Sequence, residues 1–217
     1  RHSELASTSF AAGNAGSIRI QAGTLEMTGS FMSPDNPIGI LTNIGSRVRG
    51  TGRGGDVDIT TGDLLMEGDV AIVNNNLAAG QSGDIRIHAG TVQLNGMQGD
   101  SYISSAAFST GNAGNITVDA GRVSVLGGFV SPYAFTGIAT RVNSSIATAA
   151  NGGTIQINSG SLEVLNGGQI SSKITIGSGR GGDININSSS VLVSGAKSDG
   201  GASAIISGSS GTSTTGS

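Results

Sequence analysis

One short pattern occurs six times along this chain of 217 residues: a Gly-rich turn, then apolar-x-apolar. The units are Ile18-Arg19-Ile20, Val57-Asp58-Ile59, Ile85-Arg86-Ile87, Ile116-Thr117-Val118, Ile155-Gln156-Ile157 and Ile184-Asn185-Ile186. Seven residues after each first apolar position a second unit begins: Leu25/Met27, Leu64/Met66, Val92/Leu94, Val123/Val125, Leu162/Val164 and Val191/Val193. Between the two units stand Gly23, Gly62, Gly90, Gly121 and Gly160, with Ser189 in the sixth repeat. After the second unit come Gly29, Gly68, Gly96, Gly127 and Gly195, with Asn166 in the fifth repeat. Asn tolerates a positive φ better than most residues that carry a Cβ, so it is a coherent substitute there. A repeat of this kind outranks other fold signals, because each unit buries its apolar face only against the next.

Alternation of period two puts the paired Ile, Val and Leu on one face of a strand. The chain is therefore expected to be all-β, a right-handed parallel β-helix (β-solenoid) of about six coils spanning residues 1–217. The coils start near residues 13, 54, 82, 111, 151 and 181. At ~4.8 Å per coil the rod is roughly 29 Å long, and right-handed winding is the default for parallel crossovers. Ile18, Val57 and Ile85 map onto Ile116, Ile155 and Ile184 at a shift of 98 or 99 residues, a duplication of three coils. Its two long members share an insert, residues 31–49 and 129–143, opening Phe31-Met32-Ser33-Pro34 and Phe129-Val130-Ser131-Pro132. Ser-Pro favours turns and strand edges, so both inserts are expected to leave the rod as loops or an extra short strand pair. Phe31, Phe129, Tyr133 and Phe135 fall within them and are the candidate binding residues. An antiparallel sandwich also has short strands but does not predict this period.

Several functions are disfavoured by composition. There is no Cys, hence no disulfide framework and no thiolate chemistry. A net charge of −3 leaves no nucleic-acid footprint, and the longest apolar run is too short to insert in a membrane. No apolar stretch follows Arg1-His2-Ser3-Glu4, so the chain reads as a mature product or a piece of something longer. Arg19, Asp58 and Arg86 fall in one outward column and alternate in charge, a natural ion ladder. Asp56 and Asp84 would lie on neighbouring coils and are candidate ligands for a hard cation such as Ca²⁺. The tandem G-G-x-G-x-D spacing of Ca²⁺-binding β-helices is missing, and small polar residues in turns commonly bond the backbone instead. His2 and His88 are far apart and no carboxylates cluster in an outward column, so neither an enzyme nor a cofactor is expected. Gly111-Asn112-Ala113-Gly114 lacks the G-K-[ST] of a phosphate loop and precedes a strand.

Gly111-Asn112-Ala113-Gly114-Asn115-Ile116-Thr117-Val118-Asp119-Ala120-Gly121 and its weaker copies across residues 13–207 resemble the repeat region of filamentous-haemagglutinin-like exoproteins. Those proteins leave the cell by two-partner secretion through an outer-membrane barrel transporter. The Asn-Pro-Asn-Gly motif of their secretion domain is matched only in part by Asn36-Pro37-Ile38-Gly39, so no secretion domain is assigned. The resemblance implies an extracellular structural or adhesive rod at the cell surface. Its expected partners are a glycan or protein of a host or neighbouring cell, with end-to-end self-association through unblunted strand edges. The alternative is a glycan-binding or glycan-cleaving β-helix.

Overall fold

In each repeat the inward positions slip phase by one residue across the central glycine, from Ile155 and Ile157 to Leu162 and Val164 in the fifth. A strand that changes its inward parity must turn a corner there. The computed structural model describes residues 3–29, 42–128, 135–143, 150–176 and 179–209. In it both units of a repeat belong to one strand of 11 residues. These long strands are β2 (Ile18–Thr28), β4 (Val57–Glu67), β6 (Ile85–Asn95), β8 (Ile116–Leu126), β10 (Ile155–Leu165) and β12 (Ile184–Ser194). They stack in parallel, in chain order, as a six-stranded sheet. The pairing steps over the glycine each time: Ser159 faces Ser188 and Ser161 faces Ser190, with Gly160 between them unpaired. A Cβ on Gly62, Gly90, Gly121 or Gly160 would come within 2.6–2.9 Å of the carbonyl oxygen of the preceding coil's glycine. That closeness favours glycine at these four corners; the sixth repeat carries Ser189 instead.

The less regular third patch of each coil forms the second sheet. Its strands are β1 (Glu4–Ser9), β3 (Thr42–Val48), β5 (Val70–Asn76), β7 (Ser101–Ala107), β9 (Gly137–Asn143), β11 (Gln169–Ile176) and β13 (Ala204–Ser209). They too pair in parallel in chain order. The chain is thus a parallel β-solenoid. Between the sheets, Ile59, Ile87, Ile103, Ile116, Ile138 and Ile157 are fully buried, and the ladders merge into one continuous core.

One inward column of the second sheet is polar throughout: Ser7, Ser46, Asn74, Ser105, Thr140, Ser172 and Ser207. From Ser46 to Ser172 these groups bond the Gly-rich turn that leads into the next long strand, and Ser207 bonds the turn before β12. Gly55, Gly114 and Gly182 donate their N–H groups to Ser46, Ser105 and Ser172 Oγ at 2.8–2.9 Å. The Asn74 amide and the Thr140 and Ser207 hydroxyls donate to the carbonyls of Asp84, Gly153 and Gly182 at 2.7–2.8 Å. Buried backbone groups at this corner are satisfied that way, as an apolar residue could not do.

The expected inserts are corrected by this topology. Residues 42–48 of the first and 137–143 of the second are not excursions but the regular strands β3 and β9, in register with their neighbours. Ile44, Ser46 and Val48, like Ile138, Thr140 and Val142, supply their coil's inward positions, which reading by length alone concealed. The extra residues concentrate at one corner, between a long strand and the short strand after it. Gly68-Asp69 alone joins β4 to β5, whereas residues 29–41 separate β2 from β3 and residues 127–136 separate β8 from β9.

Candidate functional site

Asp56 and Asp84 do lie on neighbouring coils, and their oxygens are committed to the protein. Asp56 Oδ1 accepts the Asp84 N–H at 3.0 Å, and Asp84 Oδ1 accepts the Asn115 N–H at 2.9 Å. The same step recurs from Ser17 Oγ to the Asp56 N–H and from Asn115 Oδ1 to the Thr154 N–H, so the column ties coil to coil. The second oxygens go to Arg86, which reaches Asp84 at 2.7 Å, Asp56 at 2.9 Å and Asp58 at 3.3 Å. Arg19 meets Asp58 from the other side at 3.7 Å, completing the expected ion ladder. Burial works against the Asp56 carboxylate, but the Asp84 N–H and the Arg86 guanidinium outweigh it and hold its pKa below the usual range. Arg86 is 47 % exposed, so each of its contacts contributes only about 0–1 kcal/mol. Among the described residues no three His, Asp or Glu side chains converge as a metal set.

The outer face of the second sheet is a different environment. Alternation along these strands turns Ala71, Val73, Ser104, Ala139 and Ser171 away from the core, yet all five are buried. Phe135, in the segment leading into β9, folds back over this face. Its ring meets Tyr102 edge-on at 6.2 Å between centroids, and the Arg141 guanidinium stacks on it at 4.1 Å. Asp100 anchors the segment: its Oδ1 accepts the Phe135 N–H at 2.9 Å. Beneath it, Asp69 Oδ1 accepts the Asp100 N–H at 3.0 Å, while Asp69 Oδ2 is buried with no hydrogen-bond partner among the described residues. Desolvation pushes the Asp100 carboxyl up to about 6, the Phe135 N–H opposing and the Asp69 charge adding. Burial likewise raises Asp69 and Tyr102 and lowers Arg141, which nonetheless remains a cation.

Phe135 and Arg141 form a ridge between two clefts. The smaller, about 170 Å³, is lined by Val73, Asn75, Asp100 and Tyr102 on the ridge's lower side. The larger, about 450 Å³, is bounded by Phe108 and Phe135 and floored by Arg141, Asn143, Gln169 and Lys173. Lys173 is the register partner of Arg141 on the adjacent strand. No carboxylate lines the larger cleft. Among the described residues no hydrogen bond or ion pair engages the Arg141 guanidinium or the Lys173 ammonium.

Of the four candidate binding residues, Phe31, Phe129 and Tyr133 lie outside the described residues, and Phe135 stands at the centre of this site. Arg141, Lys173, Tyr102 and Asp100 were not singled out from sequence. A signal for Asp69 and Asp100 exists: each follows a glycine and immediately precedes a short strand, in adjacent coils. Among the described residues no helix is long and apolar enough to cross a membrane. Compared with protein-family models, curated proteins and solved structures, the chain matches nothing.

Proposed function

We propose that this chain is a structural and adhesive rod segment of a secreted, haemagglutinin-like exoprotein, acting outside the cell. Stacked coils supply stiffness along the axis, and the variable corner joins long strands to short ones through segments of different length. The observation that supports the reading is this division of labour. The two sheets hold unbroken parallel pairing through every coil, while added chain length gathers mainly where β2, β6, β8 and β12 hand over to the short strands. Loops on a rigid scaffold are where recognition generally resides. On this reading the outer-membrane barrel handles the chain only in transit, and the partner is a glycan or protein on another surface.

Beads coated with the chain test the idea. Deleting residues 130–134 is expected to leave circular dichroism β-rich and to reduce bead attachment to epithelial or bacterial cells. Attachment no greater than that of a β-rich control protein would overturn the adhesive reading.

A further inference from the structure

We propose that the larger cleft binds a carboxylate-bearing saccharide, with Arg141 and Lys173 gripping the carboxylate and the Phe108 and Phe135 rings flanking the sugar. The inference rests on the adhesive reading and names its ligand class.

Three observations converge. First, Arg141 is half-buried, and stacking on Phe135 fixes its plane, yet its N–H donors have no acceptor among the described residues. A guanidinium held flat with its fork open matches the two oxygens of a carboxylate. Lys173, in register beside it on β11, adds a second cation without a hydrogen-bond or ion-pair partner among the described residues. Second, among the described residues the lining of the larger cleft carries no acid, and the carboxylate that acts on Arg141, Asp100, lies in the smaller cleft on the other side of the ridge. Third, the remaining polar groups suit hydroxyls. Gln169, Ser171 and Lys173 project from alternate positions of β11, a row stepping ~6.6 Å per pair of residues. A bulge after Ile174 shifts the register, bringing Ile176 opposite Asn143 at the end of the row. Bulges commonly re-aim side chains beside binding sites. A cleft of about 450 Å³ is within the range of small-molecule sites.

An acidic peptide fits less well. Peptides that dock on sheets chiefly add a strand at a free edge, and both edges of β9 and β11 are already paired, by β7 and β13 as well as by each other.

Calorimetry on the full chain tests the proposal with a hyaluronan tetrasaccharide, which carries carboxylates and no sulfate, and with neutral chitotetraose. The first is expected to bind and the second not. Lys173→Gln and Arg141→Gln should each weaken the charged sugar about tenfold or more, the loss of one charge-assisted contact. Because Arg141 also packs on Phe135, Lys173→Gln is the decisive variant, with unchanged circular dichroism as its control. Equal binding of both sugars, preference for poly-glutamate or for dextran sulfate, or no effect of Lys173→Gln would each overturn it. Bead attachment by the wild-type chain with no binding of the charged sugar would remove this ligand and leave the adhesive reading standing. Charged-sugar binding without any bead attachment would do the reverse.

Discussion

Asp100 is a carboxylic acid whose surroundings favour its neutral form. Burial raises it to about 6 from an ordinary 3.8, so the folded chain holds this proton more tightly than the unfolded one. The stabilising effect of protonation is present at low pH and lost as pH rises through about 6. Asp100→Asn keeps an acceptor for the Phe135 N–H and removes the charge. Its melting midpoint is expected to exceed the wild type's near pH ~7.5 and to converge on it near pH ~4. Thermal melts across that range check it, and an offset independent of pH would detach Asp100 from the effect. Asn166 is the second residue with a sharp consequence. Its φ is 50°, the left-handed value, alongside 77° at Gly68 and 81° at Gly195. Asn166→Ala should destabilise the chain by about 1 kcal/mol, while Asn166→Gly should not, since Ala keeps the Cβ without the local polar contacts that let Asn adopt this conformation, whereas Gly removes the Cβ altogether. Sequence foresaw this slot but merged two causes. Gly29 and Gly127 occupy it without a positive φ, and there a Cβ would strike the backbone of Asp69 or Asn166 and Gly167. The Asp69–Asp100 pair was illegible for another reason: a carboxylate is exposed by default, and this one is covered by Phe135, 35 residues away in the chain.

Strands were legible where alternation is strict. All six long strands begin at the first apolar position of the repeat, because Ile and Val in that rhythm suit a pleated, tightly packed surface. The short strands were less legible, since their inward column mixes Ile with Ser, Asn and Thr and reads as a polar loop. Burial settles what composition obscured. Ser172 is fully buried, accepts from Gly182 N–H at 2.8 Å and shares a hydrogen bond of 2.7 Å with the Thr140 hydroxyl, and so behaves as core. The apolar ladders lead to a prediction at this scale. Ile157 is fully buried between Val118 on β8 and Ile186 on β12. Ile157→Asp places an unpaired carboxylate in that ladder, a cost of several kcal/mol that two neighbouring strands share. A large drop in the urea midpoint is expected, and a midpoint within experimental error of wild type would contradict the inward placement.

For the molecule as a whole, nearest-neighbour stacking decides what the ends can do. Sequence conveyed the parallel solenoid because one column argument covers every coil. The cover over the outer face escaped it, because that depends on where Phe135 returns rather than on the period. In a stacked array, stability is the sum of coil terms and the interfaces between them, so an edge coil lacks half its interface. β12 shows the effect: Val191 and Val193 are 49 % and 42 % exposed, whereas Leu162 and Val164, the same columns one coil earlier, are fully buried. Among the described residues one edge of β12 is also unpaired in its sheet, which leaves a row of backbone donors and acceptors. At the opposite side of the stack, β2 offers Leu25 in the column of Val191 and Ile20 in that of Ile186, both only partly buried. Two such faces are complementary but not identical, so a contact between copies is heterologous and propagates along the axis. We therefore expect the sedimentation coefficient of the 217-residue chain to rise with concentration, and micrographs to show short axial stacks. Val193→Lys tests the seam with little cost to folding, since the side chain is already half exposed. It puts a charge on the apolar strip and should hold the chain monomeric with an unchanged β-rich spectrum. A wild type that stays monomeric at every concentration would rule out stacking between copies, and a Val193→Lys variant that still stacks would place the contact elsewhere.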